Sequence, residues 1–281
     1  MEIDCSFGLG YLPIMWTVFT ILAFAASYCI AVLEKHVYPV LPSISDTGAR
    51  IPEANAFSLL MNISIILGLA NYFTRYFQCQ HQARHCGDNR EKIFKYNHLS
   101  LLTALTSVFG ALIVANVQSR KEFYLSEIHD IGAVIFFIFT CMYLWLQTHI
   151  TYKVALYGLY SMWLCHFRLF MSLLFTISAA TYFITSAISY QYFESSRHHN
   201  IAHWMPSDGG YTLHVISNGS EWFCVVIILL FAITYFDEFQ QVMLLIDCQE
   251  KSPHIISYDG IGDYACVKMS SMDSLNEDNN N

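Results

Sequence analysis

The sequence predicts an all-α protein that crosses a membrane six times as one bundle of helices. Of its 281 residues, 55% are hydrophobic and only 13% are charged, and the mean hydropathy is +0.40. Soluble domains carry about 25% charged residues. Six apolar segments reach the roughly 20 residues that a helix needs to cross a bilayer. They are 11–33, 55–77, 98–117, 129–150, 167–190 and 215–236.

The first apolar segment, 11–33, contains no charged residue, and acidic Glu2 and Asp4 precede it. A secretory signal peptide begins with basic residues and has a shorter apolar core. The segment is therefore predicted to be a transmembrane helix that is retained. The net charge is −8, with much of the acid late in the chain, so no nucleic-acid partner is predicted.

Between the first two segments lies a short polar stretch, 41–53, with the sequence LPSISDTGARIPE. Pro42 and Pro52 favour extended conformations in the residues before them, and Asp46-Thr47-Gly48 is typical of a turn. This loop is too short to fold alone. We expect it to cover one end of the bundle, with Ser45, Asp46, Thr47, Gly48, Pro52 and Glu53 as its motif residues.

The distribution of Lys and Arg predicts the orientation. If both termini are cytosolic, nine basic residues face the cytosol and five face the other side. Basic residues accumulate on the cytosolic side of membrane proteins. Both termini are therefore predicted to be cytosolic, and the 41–53 loop lumenal.

The loop after the second segment contains Cys79, His81, His85 and Cys86, four residue types that can bind zinc. Zinc sites usually combine ligands from two separated clusters, whereas these four share one short run. We interpret the run as a solvated basic loop in which Cys79 could be acylated. No metal or cofactor is predicted.

The fifth segment begins next to Arg168, whose long side chain is expected to reach toward the headgroups. The following loop, 191–213, contains three histidines (His198, His199 and His203). Histidines there could respond to lumenal acidity, although a solvated loop with interfacial aromatic residues is the simpler interpretation. Beyond the sixth segment, 237–247 is predicted to form an amphipathic helix that leaves the bilayer.

The sixth segment carries the strongest polar signal inside the membrane. His214, Asn218 and Glu221 are spaced i, i+4 and i+7, so they lie along one stripe of a helix. A carboxylate at that depth needs a partner inside the bundle. The predicted partners are His129, Asp130 and Asn116, with Asp46 and Glu53 of the loop as further candidates.

The last residues, 248–281, are polar and acidic and are predicted to be disordered. They contain two tyrosines, Tyr258 and Tyr264. An apolar residue stands three positions after each of them, Ile261 and Val267 respectively. This pattern is typical of motifs that sorting adaptors bind as an extended strand. Adaptor proteins are therefore candidate partners of the tail, beside the bilayer itself and a membrane-lipid ligand.

Several short motifs occur together along the chain. They are Leu41-Pro42, Ile44-Ser45-Asp46-Thr47-Gly48, Pro52-Glu53, Thr74-Arg75-Tyr76, Val114-Ala115-Asn116, Gln118, His129-Asp130, Gly132-Ala133, Tyr152-Lys153, Cys165-His166, Arg168 and Glu221-Trp222. In this order they resemble the damage-regulated autophagy modulator (DRAM) family, within the wider Frag/DRAM/Sfk group. The resemblance implies a six-span protein of lysosomal or late endosomal membranes that modulates autophagy. Other members of the group act in remodelling of GPI-anchor lipids or hold a phosphoinositide kinase at the plasma membrane.

Three functions are therefore considered. The first is a non-enzymatic regulator of endolysosomes and autophagy, with no catalytic residue. The second is a lipid-handling enzyme or kinase-anchoring scaffold at the plasma membrane or Golgi, in which a histidine and carboxylates would supply acid–base chemistry. The third, a channel or proton-coupled carrier, is disfavoured because mid-membrane stretches such as 131–143 are almost entirely apolar.

Overall fold

The computed structural model describes residues 8–118, 123–193 and 204–242. All regular structure in these ranges is helical, which confirms the predicted fold class. Six helices are long and apolar enough to cross a membrane. They are α1 (Tyr11–Leu33), α3 (Glu53–Ala83), α4 (Arg90–Asn116), α5 (Phe123–Ala155), α6 (Met162–Phe193) and α7 (Tyr211–Ile233); the short helices α2 (Ile44–Thr47) and α8 (Phe236–Gln240) complete the set, with a 3₁₀ turn at Gly87–Asn89.

Most of the long helices continue beyond the apolar segments that predict them. α3 runs on to Ala83, and α4 begins at Arg90 rather than at residue 98. Charged and amide side chains such as Arg, Lys, Glu and Gln are good helix formers although they end a hydropathy peak. Apolar length therefore marks the part of each helix inside the hydrocarbon, and the helix itself extends into the interface.

The long helices alternate in direction, which gives the bundle two ends. We call the end at which α1, α4 and α6 finish and α3, α5 and α7 begin the loop end, and the opposite end the termini end. At the termini end, the Leu9 amide donates to the Val242 carbonyl at 3.1 Å. The first and last described residues thus lie on one side, as an even number of crossings requires.

The tightest crossing joins α4 and α5, the pair of helices with the most extensive contact. At Gly110, a Cβ atom would lie 2.6 Å from the Gly132 carbonyl oxygen, and one at Gly132 would lie 2.6 Å from the Ile113 side chain. Only glycine lets the two backbones approach this closely, which is how helices commonly pack in membranes.

Large apolar side chains cover the outside of the bundle, where soluble proteins place polar ones. Leu59, Ile66 and Ile177 each expose more than 60% of their surface. An internal core of aromatic and aliphatic residues, including Tyr72, Phe175 and Phe231, joins the helices. Since lipid would cover the exposed faces, the chain is a multi-pass membrane protein. The predicted tail, with Tyr258, Ile261, Tyr264 and Val267, lies outside the described residues.

Candidate functional site

The 41–53 loop lies across the loop end of the bundle. The predicted turn is the single helical turn α2, whose Asp46 amide donates to the Ser43 hydroxyl at 3.1 Å. Ile44 packs with Phe24 of α1 and Phe57 of α3 in one apolar cluster. Ser43 thus supplies the capping oxygen that the first turn of a helix needs, and Ile44 anchors the loop in the bundle.

Three hydrogen bonds join this loop to α7. Ile44 N donates to Glu221 Oε2 at 3.0 Å, Asn218 Nδ2 donates to the Leu41 carbonyl at 2.9 Å, and Trp222 Nε1 donates to the Pro42 carbonyl at 2.9 Å. The hydrogen bond that Glu221 accepts thus comes from the loop backbone and not from one of the predicted side-chain partners. The carboxylate and the loop stabilise each other.

The remaining loop motif residues are also held by contacts. Thr47 is fully buried, and its hydroxyl lies 3.3 Å from that of Ser27. Glu53, at the start of α3 after Pro52, is fully buried and lies 2.6 Å from His36 Nδ1. A Cβ atom at Gly48 would lie 2.9 Å from the ring of Phe57. These contacts fasten the loop to α1 and α3.

The stripe on α7 continues toward the surface as predicted by its spacing. Asn218 Nδ2 lies 3.0 Å from His214 Nε2, and the His214 ring stacks on Trp204 with centroids 4.1 Å apart. The side-chain amide of Asn218 donates through Nδ2, so Nε2 of His214 accepts, and Nδ1 of the neutral ring carries the proton. The histidines 198, 199 and 203 lie outside the described residues.

A cavity of about 120 Å³ lies beneath the loop, between the helices. His129, Asp130 and Glu221 line it together, as does Ser45 of the loop. Of the predicted polar cluster, Asn116 does not take part, because it exchanges hydrogen bonds with Asn62 at 2.9 and 3.1 Å. The structure thus brings one imidazole and two carboxylates to a common space.

Burial raises the pKa of the Asp46 carboxyl, and its ionised form therefore destabilises the folded loop at neutral pH. Asp46→Asn should unfold at a higher temperature than the parent at neutral pH. That advantage should shrink as the pH falls through the raised pKa and the parent carboxyl takes up a proton. Thermal unfolding of both proteins in detergent at neutral and acidic pH checks this. Exposed Asp88→Asn should show no such pH-dependent difference, and a constant or growing Asp46→Asn advantage would contradict the assignment.

A second buried polar cluster, at the termini end, was not predicted. Arg75 of α3 and Arg168 of α6 are both 0% exposed, and each forms an ion pair with Glu238 of α8, which is 8% exposed. Arg168 was expected to reach the headgroups, and 237–247 to leave the bilayer. The expectation for Arg168 was wrong, because its guanidinium is buried against Glu238. The first part of 237–247 is the end of α8, whose Glu238 lies between the two guanidinium groups, and residues from 243 on lie outside the described ranges.

The neighbours of this ion cluster satisfy most of its remaining hydrogen-bonding groups. Arg75 Nε donates to Gln147 at 2.9 Å, and Arg168 Nη1 donates to Thr151 at 2.9 Å. The Tyr160 hydroxyl lies 2.8 Å from Glu238 Oε2. The Tyr235 ring lies 4.8 Å from the Arg75 guanidinium and 4.5 Å from that of Arg168. This arrangement joins α3, α5, α6 and α8.

Comparison with known sequences identifies the family. The profile described as the Frag1/DRAM/Sfk1/Cwh43P N-terminal domain matches residues 8–242. DNA damage-regulated autophagy modulator protein 2 of Bos taurus is 33% identical over 85% of this chain and 87% of its own length. Protein 1 of Homo sapiens is 32% identical over 86% and 95%. The chain belongs to the DRAM family.

A more distant relative of this DRAM-family chain is the modulator of macroautophagy TMEM150B of Danio rerio. It is 29% identical over 50% of the chain and 57% of its own length. No solved structure matches the chain.

The motifs that carry the DRAM resemblance build both polar clusters. Leu41-Pro42 and Glu221-Trp222 supply the bonds between the loop and α7. Arg75 and Arg168 supply the ion cluster. The partner Glu238 stands outside those motifs, and the need of two buried arginines for an anion was the sequence signal that could have located it.

The segment with Cys79, His81, His85 and Cys86, which was considered as a zinc site, does not form a solvated loop at its cysteines. Cys79 and Cys86 are both fully buried, and burial raises the pKa of the Cys86 thiol. Within the described ranges, no group of three or more His, Cys, Asp or Glu residues could hold a metal ion. Buried Cys79, with its side chain inside the bundle, is not accessible for acylation in this arrangement.

Proposed function

We propose that this DRAM-family chain is a non-enzymatic, multi-pass endolysosomal membrane protein that modulates autophagy, with both termini in the cytosol. The observation that carries the proposal is its similarity, across the whole six-helix unit, to proteins named as autophagy modulators. The two polar clusters support a non-enzymatic role, because their charged groups fasten a loop and a terminal helix to the bundle.

Endolysosomal location should depend on the tail. Changing Tyr258 and Tyr264 to Ala, or ending the chain after Asp247, should move the protein from endolysosomes toward the cell surface. The physical reason is that a sorting adaptor binds a tyrosine and an apolar side chain in two pockets. Imaging of a cytosolically tagged protein against lysosomal and plasma-membrane markers measures this.

A matched control is Ser257→Ala, which changes a neighbouring tail residue and leaves both tyrosine motifs intact. Lysosomal residence of the double tyrosine variant would remove the sorting assignment. Residence of the parent itself at the plasma membrane or Golgi would favour the kinase-anchoring or lipid-remodelling alternative.

Autophagic flux tests the role itself. Cells that lack the protein should turn over less lipidated autophagosome marker than cells that express it, measured with and without inhibition of lysosomal acidification. Parent protein at its normal level should restore the turnover, and a surface-located tyrosine variant should not. Equal flux with and without the protein would exclude the proposed role.

One observation favours the lipid-handling enzyme as a second candidate. His129, Asp130 and Glu221 line the same cavity, and histidine with carboxylates can perform acid–base chemistry on a lipid ester. Lipid-modifying activity of purified protein, lost in Glu221→Gln without a change in folding, would establish the enzyme. Its absence across lipid classes would support the non-enzymatic role.

A further inference from the structure

The cavity beneath the loop combines an apolar body with one polar end. Its apolar wall includes Trp16, Phe24, Met61, Phe137, Val225 and Leu229. Two pairs of hydroxyl groups bond to each other at its wall, since Thr20 lies 2.6 Å from Ser64 and Ser107 lies 2.6 Å from Thr140. The titratable acid and imidazole groups of the wall are His129, Asp130 and Glu221, which lie toward the loop end.

His129, Glu221 and Asp130 present hydrogen-bond acceptors at that end. His129 Nδ1 lies 2.6 Å from the Val117 carbonyl, which can only accept, so Nδ1 carries the proton and Nε2 of the neutral ring is an acceptor. Glu221 Oε2 accepts from Ile44, and no described donor bonds to Oε1. Asp130 is exposed at the cavity wall, also without a described hydrogen-bond partner. Among the described residues that line the cavity, none is Lys or Arg, so the two carboxyl groups have no cationic side chain beside them in the cavity wall.

The size of the cavity limits what could enter it. A volume of about 120 Å³ resembles that of engineered apolar cavities that stay dry and bind benzene. It would hold a short stretch of alkyl chain rather than a whole phospholipid. Ionised Glu221, 7% exposed, is costly to bury unless a cation pairs with it, and an amphiphile could bring such a cation through the apolar space.

We propose that this cavity is a binding site for a single-chain amphiphile with a protonated amine head. The ammonium group would pair with Glu221 and Asp130, and the first part of the chain would lie between Trp16, Met61 and Phe137. An anionic amphiphile would be repelled by the two carboxylates, and a neutral alcohol would leave their charge uncompensated. The site goes beyond the role in autophagy and does not depend on it.

Binding is tested with purified full-length protein in nanodiscs of zwitterionic lipid. Decylamine, decanol and decanoate are titrated calorimetrically, and partitioning into empty nanodiscs is subtracted. Decylamine should saturate at one site and bind at least about tenfold more tightly than decanol, because only the amine gains an ion pair of low exposure. Decanoate should not saturate. Equal binding of amine and alcohol would overturn the proposal.

Two variants separate the head from the chain. Glu221→Gln keeps an acceptor for Ile44 and should reduce the preference for amine over alcohol to about twofold or less, whereas exposed Glu34→Gln should leave it unchanged. Ala111→Leu fills the cavity wall and should abolish saturable binding of decylamine. Amine preference that survives Glu221→Gln, or binding that survives Ala111→Leu, would place the amine elsewhere and reject this site.

Discussion

Glu238→Gln should lower the free energy of unfolding by about 3–5 kcal/mol, the usual cost of leaving a buried charge without its partner. The substitution leaves Arg75 and Arg168, both 0% exposed, facing each other. No other ion pair holds either guanidinium among the described residues. Thermal unfolding in detergent and the yield of monodisperse protein measure the loss.

Two arginines share one glutamate in this cluster, and this ratio allows a second prediction. Arg168→Met leaves Glu238 paired with Arg75, a neutral combination, and should therefore cost less than Glu238→Gln. Exposed Asp237→Asn, one residue away, removes the same type of charge and should be within about 0.5 kcal/mol of the parent. If Arg168→Met were the more damaging change, packing around the guanidinium rather than charge balance would govern this end.

The sequence indicates the six helices but not this ion cluster, because the residues of the cluster are far apart along the chain. The apolar runs predict the helices because every backbone polar group in lipid must be bonded internally. Glu238 follows such a run, where a charge ordinarily reaches water. The packing of α8 against the rest of the bundle, which includes the Leu9–Val242 hydrogen bond, buries it, and no local pattern encodes that packing.

The loop end shows the same limit in another form. The spacing of His214, Asn218 and Glu221 correctly predicts one stripe on α7. The partner of Glu221 is the backbone N–H of Ile44. Every residue except proline has such an N–H, so residue types alone cannot identify which one donates to Glu221. Side-chain chemistry predicts that a buried carboxylate needs a donor, but the path of the loop decides which donor reaches it.

Gly48→Ala should destabilise the protein by about 1–3 kcal/mol, the usual cost of forcing an extra carbon into a filled site. The new Cβ would lie 2.9 Å from two atoms of the Phe57 ring. Phe57 cannot easily move, because it is 3% exposed and stacks on Phe24 at 6.0 Å. Unfolding temperature and the fraction of protein that leaves the endoplasmic reticulum should both fall, whereas Arg50→Ala, at a half-buried site of the same loop, should change them little.

A double-mutant cycle isolates the cause. Phe57→Leu removes the ring atoms that the new Cβ would meet, so Gly48→Ala should cost much less in the Phe57→Leu background than in the parent. Interacting neighbours typically show coupling of about 0.5–3 kcal/mol in such a cycle. Additive losses would mean that the Phe57 ring is not the source of the cost of Gly48→Ala. Coupling would instead identify close packing against α3 as what holds this loop over the bundle, and with it the roof of the cavity.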